Sequence, residues 1–252
     1  MRFVEPSLSG IQLFYLQMLP IFFSEELVTE VNGQIVLEED ASKHIVQVLR
    51  MRTGDELQLT NGKGVLCTTA IINDKKKAVQ VEIKRYEKVE ASLKKNSICL
   101  SLLENVNRFE WFLEKATELG IGELIPMICE RTERQHFRAS RMKNILVSAM
   151  LQSRQSWLPI LQDPTSFNEI IDSSKNDQKF IAHCIEQEKT NLPQAIDTSS
   201  LSRIMLIGPE GDFTQREVAF AIEHGFVATS LGETRLRSET AAMVAATLMQ
   251  LS

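Results

Sequence analysis

Two short stretches of the chain carry residue types that can do chemistry. "LIGPEGDFTQREV" sets Gly208, Pro209, Glu210 and Gly211 directly after an apolar run, and "SLGETRLRSETAAMVAA" sets Arg235, Arg237 and Glu239 after the next. Glycine lets a backbone come close to a ligand, and Pro209 stiffens the turn. Taken alone, the first stretch is an ordinary strand-to-helix turn. Two arginines beside a carboxylate are polar groups that such a turn does not need, although Glu239 is also a favourable acid for a first helical turn. Together the loops offer glycine backbone for a flat ligand and fixed cations for a substrate that develops negative charge. A third stretch, "AHC", ends another apolar run with His183. A satisfied structural histidine is its first reading and a pocket-lining one its second.

The elements around these loops must bring them together. From "SICLSLLE" onward the pattern alternates strand and helix, with near-continuous apolar strands at "ELIPMIC", "KFIAHCI" and "RIMLIG" that expect cover on both faces. "NRFEWFLEKATELG" reads as an amphipathic helix stopped by Gly120, "SRMKNILVSAMLQS" as another, and "TQREVAFAIEHG" as a third, opened by a Thr214–Glu217 capping box. "FVATSLG" is the last strand and "SETAAMVAATLMQLS" the last helix, with Ser238 expected as its cap. Loops at the carboxyl ends of neighbouring strands in such a sheet form its ligand crevice. The segment before residue 90 differs. "QIVLEE", "ELQLTNGKGVLCTTAII" and "AVQVEIKRYEKV" alternate as short strands, "NGKG" is a hairpin turn, and "EEDASKHIVQVLRMRTGD" holds one short helix ending near Arg50. "IQLFYLQMLPIFF" reads as an opening core strand rather than a signal peptide. The polar "KVEASLKKNS" marks the boundary, giving domains over 11–90 and 91–252. The fold class is therefore α/β, with a small barrel-like module ahead of it.

Composition narrows the function. The four cysteines, Cys67, Cys99, Cys129 and Cys184, show no metal spacing, and no pair of histidines does either, so no metal site is expected. Isolated thiols suit the reducing cytoplasm, and no segment suits a membrane span. A dinucleotide glycine motif, a Walker lysine and a serine-hydrolase elbow are all absent from the sequence. The net charge of −5 argues weakly against nucleic acid, yet "ERTERQHFRASRMK" concentrates Arg131, Arg134, Arg138, Arg141 and Lys143 against two acids. A solvated face and a phosphate-binding face are equally good readings of it, since arginine suits bidentate phosphate contacts.

"IGPEG" followed by "LG-x-x-R-L-R-S-E-T-A" resembles the ribosomal RNA small subunit methyltransferase E family of the SPOUT superfamily. "EKATELGIGELIPMICERTER" and "AMLQSRQSWLP" resemble its other blocks, and His44, Val48, Leu49, Arg50, Gly54, Asp55, Asn61 and Gly62 resemble its PUA-like RNA-binding module. The resemblance spans nearly the whole chain after residue 10. It implies a SPOUT trefoil-knot methyltransferase domain behind a PUA-like β-barrel, S-adenosyl-L-methionine as cofactor, a homodimer, and methylation of uridine N3 in 16S RNA of the small ribosomal subunit. Three loops would hold the cofactor through His183, Ile207, Gly208, Pro209, Glu210, Gly211, Leu231, Gly232, Leu236, Arg237 and Thr240. Arg237, then Arg235, would stabilise the uracil anion, and Glu210, Glu239 or water would take the N3 proton. Arg50, Arg131, Arg134, Gln152 and Arg154 would meet RNA. Two positions depart from the family pattern: Asp212 stands where a second glycine is usual, and Thr234 stands where the first arginine commonly falls. The alternatives are a SPOUT ribose 2′-O-methyltransferase, an RNA-binding ribosome assembly factor without catalysis, and a small-molecule enzyme.

Overall fold

The computed structural model describes residues 19–27, 29–133 and 136–252. The first ten residues and most of the expected opening strand lie outside them. The chain divides into two compact units after Glu90.

In the first unit β1 (Ile21–Phe23), β2 (Gln34–Val36), β3 (Glu56–Thr60), β4 (Val65–Asn73) and β5 (Gln80–Lys88) form one sheet in the order β1-β3-β4-β5-β2. Only the β1–β3 pair is parallel. Strand alternation sends Leu57, Leu59, Val81 and Ile83 to one buried side with Ile35, Ile45 and Ile71. The β3–β4 turn is the one read from "NGKG". Gly62 and Gly64 take φ of +66° and +82°, and the Asn61 side-chain oxygen accepts from Lys63 N and Val65 N. Helix α1 (Glu39–Lys43) runs on as a wider π turn to Val48, and Arg50 leaves it with φ +58°. Buried Ser42 fastens it to the sheet, donating to Leu37 O and accepting from Val79 N.

The second unit is a parallel sheet. Its strands are β6 (Lys95–Ser101), β7 (Glu123–Ile128), β8 (Ile160–Leu161), β9 (Thr165–Ser166), β10 (Gln178–Ala182), β11 (Thr190–Asn191), β12 (Ser202–Ile207) and β13 (Val227–Ser230). The order is β11-β13-β10-β12-β6-β7-β8, with β9 also on β7. Alternation along the central strands builds two cores. Ile98, Leu100, Met205 and Ile207 face α2 (Val106–Glu118), α3 (Ala139–Gln152) and α7 (Ser238–Leu251). Cys99, Ile204 and Leu206 face α4 (Phe167–Ser173) and α6 (Gln215–Glu223). The short α5 (Leu192–Ala195) follows β11. Both faces are thus covered, as the apolar runs require.

Three local details bear on the site. The Thr214–Glu217 capping box forms as read, and a second one at Ser166–Glu169 opens α4, an element the strand-and-helix reading passed over. The expected cap of α7 is corrected: Arg237, not Ser238, is the N-cap, and it makes no side-chain cap bond. The helix begins where Ala241 N reaches Arg237 O at 2.8 Å, which leaves Ser238 inside the first turn. At the other end of α7, fully buried Arg203 donates to Met249 O at 3.0 Å, and Asn96 donates to the same carbonyl at 3.1 Å. Ala242, Ala245 and Ala246 let the helix lie close on the sheet.

Candidate active site

A cavity of about 640 Å³ opens at the carboxyl ends of the parallel strands. Its wall comes from the loops after β10, β12 and β13, from the start of α7, and from Arg108 at the start of α2. The volume is that of a site for a nucleoside-sized ligand.

The loop after β12 folds back on its own next turn. A Cβ built on Gly208 would come within 3.1 Å of the Phe213 ring and 3.2 Å of Phe213 N, and Phe213 is buried in the core behind α6. The glycine is needed there so that backbone, not side chain, forms the wall. Asp212 explains the first departure from the family pattern. It takes φ +64°, a left-handed conformation that suits glycine and that aspartate tolerates. Its carboxylate then accepts from Cys184 N and Phe213 N, both at 2.8 Å, so one side chain ties the loop after β12 to the loop after β10.

His183 is buried in that second loop. The Gln187 amide nitrogen lies 2.9 Å from its Nε2, and Nδ1 is a buried atom with no hydrogen-bond partner among the described residues. Burial, then the charge of Lys189, holds its pKa below the usual histidine value, so the ring is neutral at pH 7. Lys189 donates to His183 O at 2.9 Å, which fixes the same loop.

Charged groups crowd the mouth: Arg108, Lys189, Arg235 and Arg237 face Glu210, Asp212 and Glu233. Glu210 Oε1 accepts from Glu104 N at 3.2 Å. No hydrogen bond or ion pair engages the guanidinium of Arg235 or Arg237 among the described residues. The cavity therefore offers backbone for a flat ring, a buried unpartnered histidine nitrogen, and cations able to hold an oxygen anion.

Of the residues read from the sequence, the structure brings His183, Ile207, Gly208, Pro209, Glu210, Leu231, Gly232, Arg235, Leu236 and Arg237 together on the wall. Gly211, Glu239 and Thr240 are not on it. Gly211 lies beneath Arg131, which donates to Gly211 O at 2.7 Å. Thr240 points outward, and Glu239 is buried. Arg131, Gln152 and Arg154 are exposed on the second unit and Arg50 on the first, while Arg134 lies outside the described residues. Arg108 and Lys189 were not read from the sequence. The signal for Arg108 was its place, just past a central strand's carboxyl end; nothing in the local pattern marked Lys189. No group of three or more metal-ligating side chains occurs among the described residues.

A parallel α/β sheet with a composite cavity at its strand ends, following a mostly antiparallel β module in the chain, defines an α/β protein with its candidate ligand site at the carboxyl ends of the strands. The comparisons make this specific. A family model described as RNA methyltransferase domain matches residues 90–250, and one described as RNA methyltransferase PUA domain matches residues 37–84. Ribosomal RNA small subunit methyltransferase E of Buchnera aphidicola is 26% identical over 91% of this chain and 92% of its own. A structure from Porphyromonas gingivalis, described as a probable rRNA methyltransferase, is 32% identical with a TM-score of 0.83 over 90% of this chain and 95% of its own. The small subunit methyltransferase E of Neisseria gonorrhoeae, solved with S-adenosyl methionine bound, is 26% identical with a TM-score of 0.82 over 92% and 97%. The chain belongs to the RNA methyltransferase family, with the SPOUT-type fold and PUA-like first module that the sequence resemblance implied.

Proposed function

We propose that the protein methylates N3 of a uridine in the 16S RNA of the small ribosomal subunit, with S-adenosyl-L-methionine as methyl donor. Support comes from family membership and from relatives named for small-subunit RNA methylation, one of them solved with this cofactor. The observation that carries the chemistry is the cavity itself, whose wall combines Gly208 and Gly232 with the unengaged Arg235 and Arg237.

The bound cofactor would supply an electrophilic methyl on a sulfonium; the remaining work falls to the chain. The backbone from Ile207 to Glu210 and the side chains of Leu231 and Leu236 suit the adenosine part. Uracil N3 carries a proton at neutral pH, and that proton must leave as the methyl arrives. Arg237 and Arg235 stabilise the resulting negative charge on the carbonyl oxygens, an effect that is strong where water is excluded. Of the two carboxylates considered for the proton, Glu210 lines the cavity and Glu239 does not, which favours Glu210 or water as the acceptor. An N3 edge is hidden in a base pair, so the uridine enters unpaired or splayed out.

The module over 11–90, with Arg50, and the arginines Arg131, Arg134 and Arg154 with Gln152 serve as RNA contacts in this reading. A homodimer working in the cytoplasm completes it. Nucleoside mass spectrometry of small-subunit RNA from cells with and without the gene is the test. Loss of 3-methyluridine on deletion, restored by the intact gene but not by Arg237→Ala, is the expected result. Loss of a 2′-O-methyl nucleoside instead would reassign the acceptor atom, and an unchanged spectrum would leave an RNA-binding factor.

A further inference from the structure

Glu239 occupies the first turn of α7. The residue is buried, Oε2 has no hydrogen-bond partner among the described residues, and it forms no part of the cavity wall. The carboxylate needs a counter-charge, because an unpaired buried ion is strongly unfavourable. Arg108 supplies it, with Nε 3.6 Å from Glu239 Oε1. Among the described residues Arg108 is the one cation of the cavity wall that comes from outside the three loops. Its guanidinium has five donors in one plane, and no hydrogen bond to another described residue engages any of them. With the Nε edge facing Glu239, the Nη groups are left for an acceptor in the cavity.

We infer that Arg108 is a further catalytic residue, a third arginine that contacts an oxygen anion of the RNA, and that buried Glu239 is the positioning residue that holds it there. The inference rests on the methyl transfer proposed above. An RNA has two such oxygens within reach of a cavity, a carbonyl oxygen of the ionised base and a backbone phosphate.

The experiment uses the full chain and small ribosomal subunits lacking the modification. Turnover, KM, the pH–rate profile and S-adenosylmethionine affinity by calorimetry are compared for wild type, Arg108→Ala, Arg108→Lys, Glu239→Gln and the double variant Arg108→Ala/Glu239→Gln. Arg108→Ala should lower kcat/KM by roughly 10²-fold, the scale of one lost oxyanion donor, and Arg108→Lys should recover part of it. Cofactor affinity should stay unchanged. The double variant should be no slower than Arg108→Ala, within about twofold, because Glu239 acts through Arg108. It also removes the carboxylate that Arg108→Ala leaves unpaired, so a folding failure of the single variant does not hide the result. A fall in kcat with the acid limb of the pH–rate profile moved to higher pH identifies the base oxygen. A rise in KM with a salt dependence shallower by about one phosphate identifies the backbone. Normal turnover of Arg108→Ala, a parallel loss of cofactor affinity, or losses that multiply in the double variant would each overturn the inference. An inactive wild type is a different result, since it removes the proposed methyl transfer itself.

Discussion

The two ends of α7 handle arginine in opposite ways. At the carboxyl end Arg203 is fully buried and all its nitrogens donate: Nε to Gln178 Oε1, Nη1 to Met249 O, and Nη2 to Asp197 O and Ser200 O, at 3.0–3.2 Å. It closes the last turn of the helix and sits where the helix dipole is negative. At the amino end Arg235 and Arg237 stand exposed at a cavity with no partner for either guanidinium among the described residues. There the dipole is positive, so two cations sit against it and no hydrogen bond compensates them. Arg203 is saturated by hydrogen bonds, whereas the donors of Arg235 and Arg237 are unengaged among the described residues.

Five substitutions at four positions test that contrast. Arg203→Ala should have the largest effect on stability, about 3–5 kcal/mol, because it removes a fully buried side chain and its four hydrogen bonds at once. Chemical denaturation measures it, and a loss under 1 kcal/mol would break the comparison from its structural side. Arg237→Ala should do the reverse, lowering turnover by roughly 10²–10³-fold while stability stays within about 0.5 kcal/mol. Loss of fold in that variant would make Arg237 another Arg203. Gly208→Ala should come next, because the added Cβ meets Phe213 at 3.1 Å. Overpacking of this kind costs about 1–3 kcal/mol, and its mark should be weakened cofactor binding in a calorimetric titration. Asp212→Ala should lose about 1.5–3 kcal/mol, since it keeps the left-handed backbone and gives up the bonds to Cys184 N and Phe213 N; Asp212→Gly should lose less because it relieves the backbone. Equal losses for the two would show that the backbone conformation contributes nothing.

The smallest effect concerns pH. The folded protein depresses the pKa of His183 from 6.5, by burial first and Lys189 second. A group depressed in this way contributes stability above its unfolded pKa and loses it as pH falls through the folded value. Stability should therefore decline below about pH 6.5, and His183→Gln should flatten that part of the stability–pH curve measured by thermal unfolding. An unaltered slope would assign the decline to other groups.

Much of the second unit was readable because its signals are local. Buried parallel strands are apolar end to end, as in "RIMLIG", and the α6 box needs only Thr214 and Glu217 three residues apart. The hairpin at Asn61–Gly64 was likewise legible, because a tight turn places its own demands on φ. The short strands β8, β9 and β11 were not, since two residues make no period and exist only through pairing with a neighbour. The cap of α7 was misread for a related reason: a serine before an apolar run is a cap by type, but the backbone bond from Ala241 N to Arg237 O decides where the helix starts.

The sequence by itself determined the class of structure and pointed to the loops and arginines that line the cavity, because each depends on residue type at short spacing. Only the tertiary structure decided which carboxylate lines the cavity. Glu210 and Glu239 are the same residue type, each beside a ligand loop, yet one borders the cavity and the other is buried against Arg108, 131 positions away in the chain. The bridge from Asp212 to Cys184 has the same origin. Burial and charge pairing between distant segments are set by how the sheet brings strand ends together, and no local pattern encodes that.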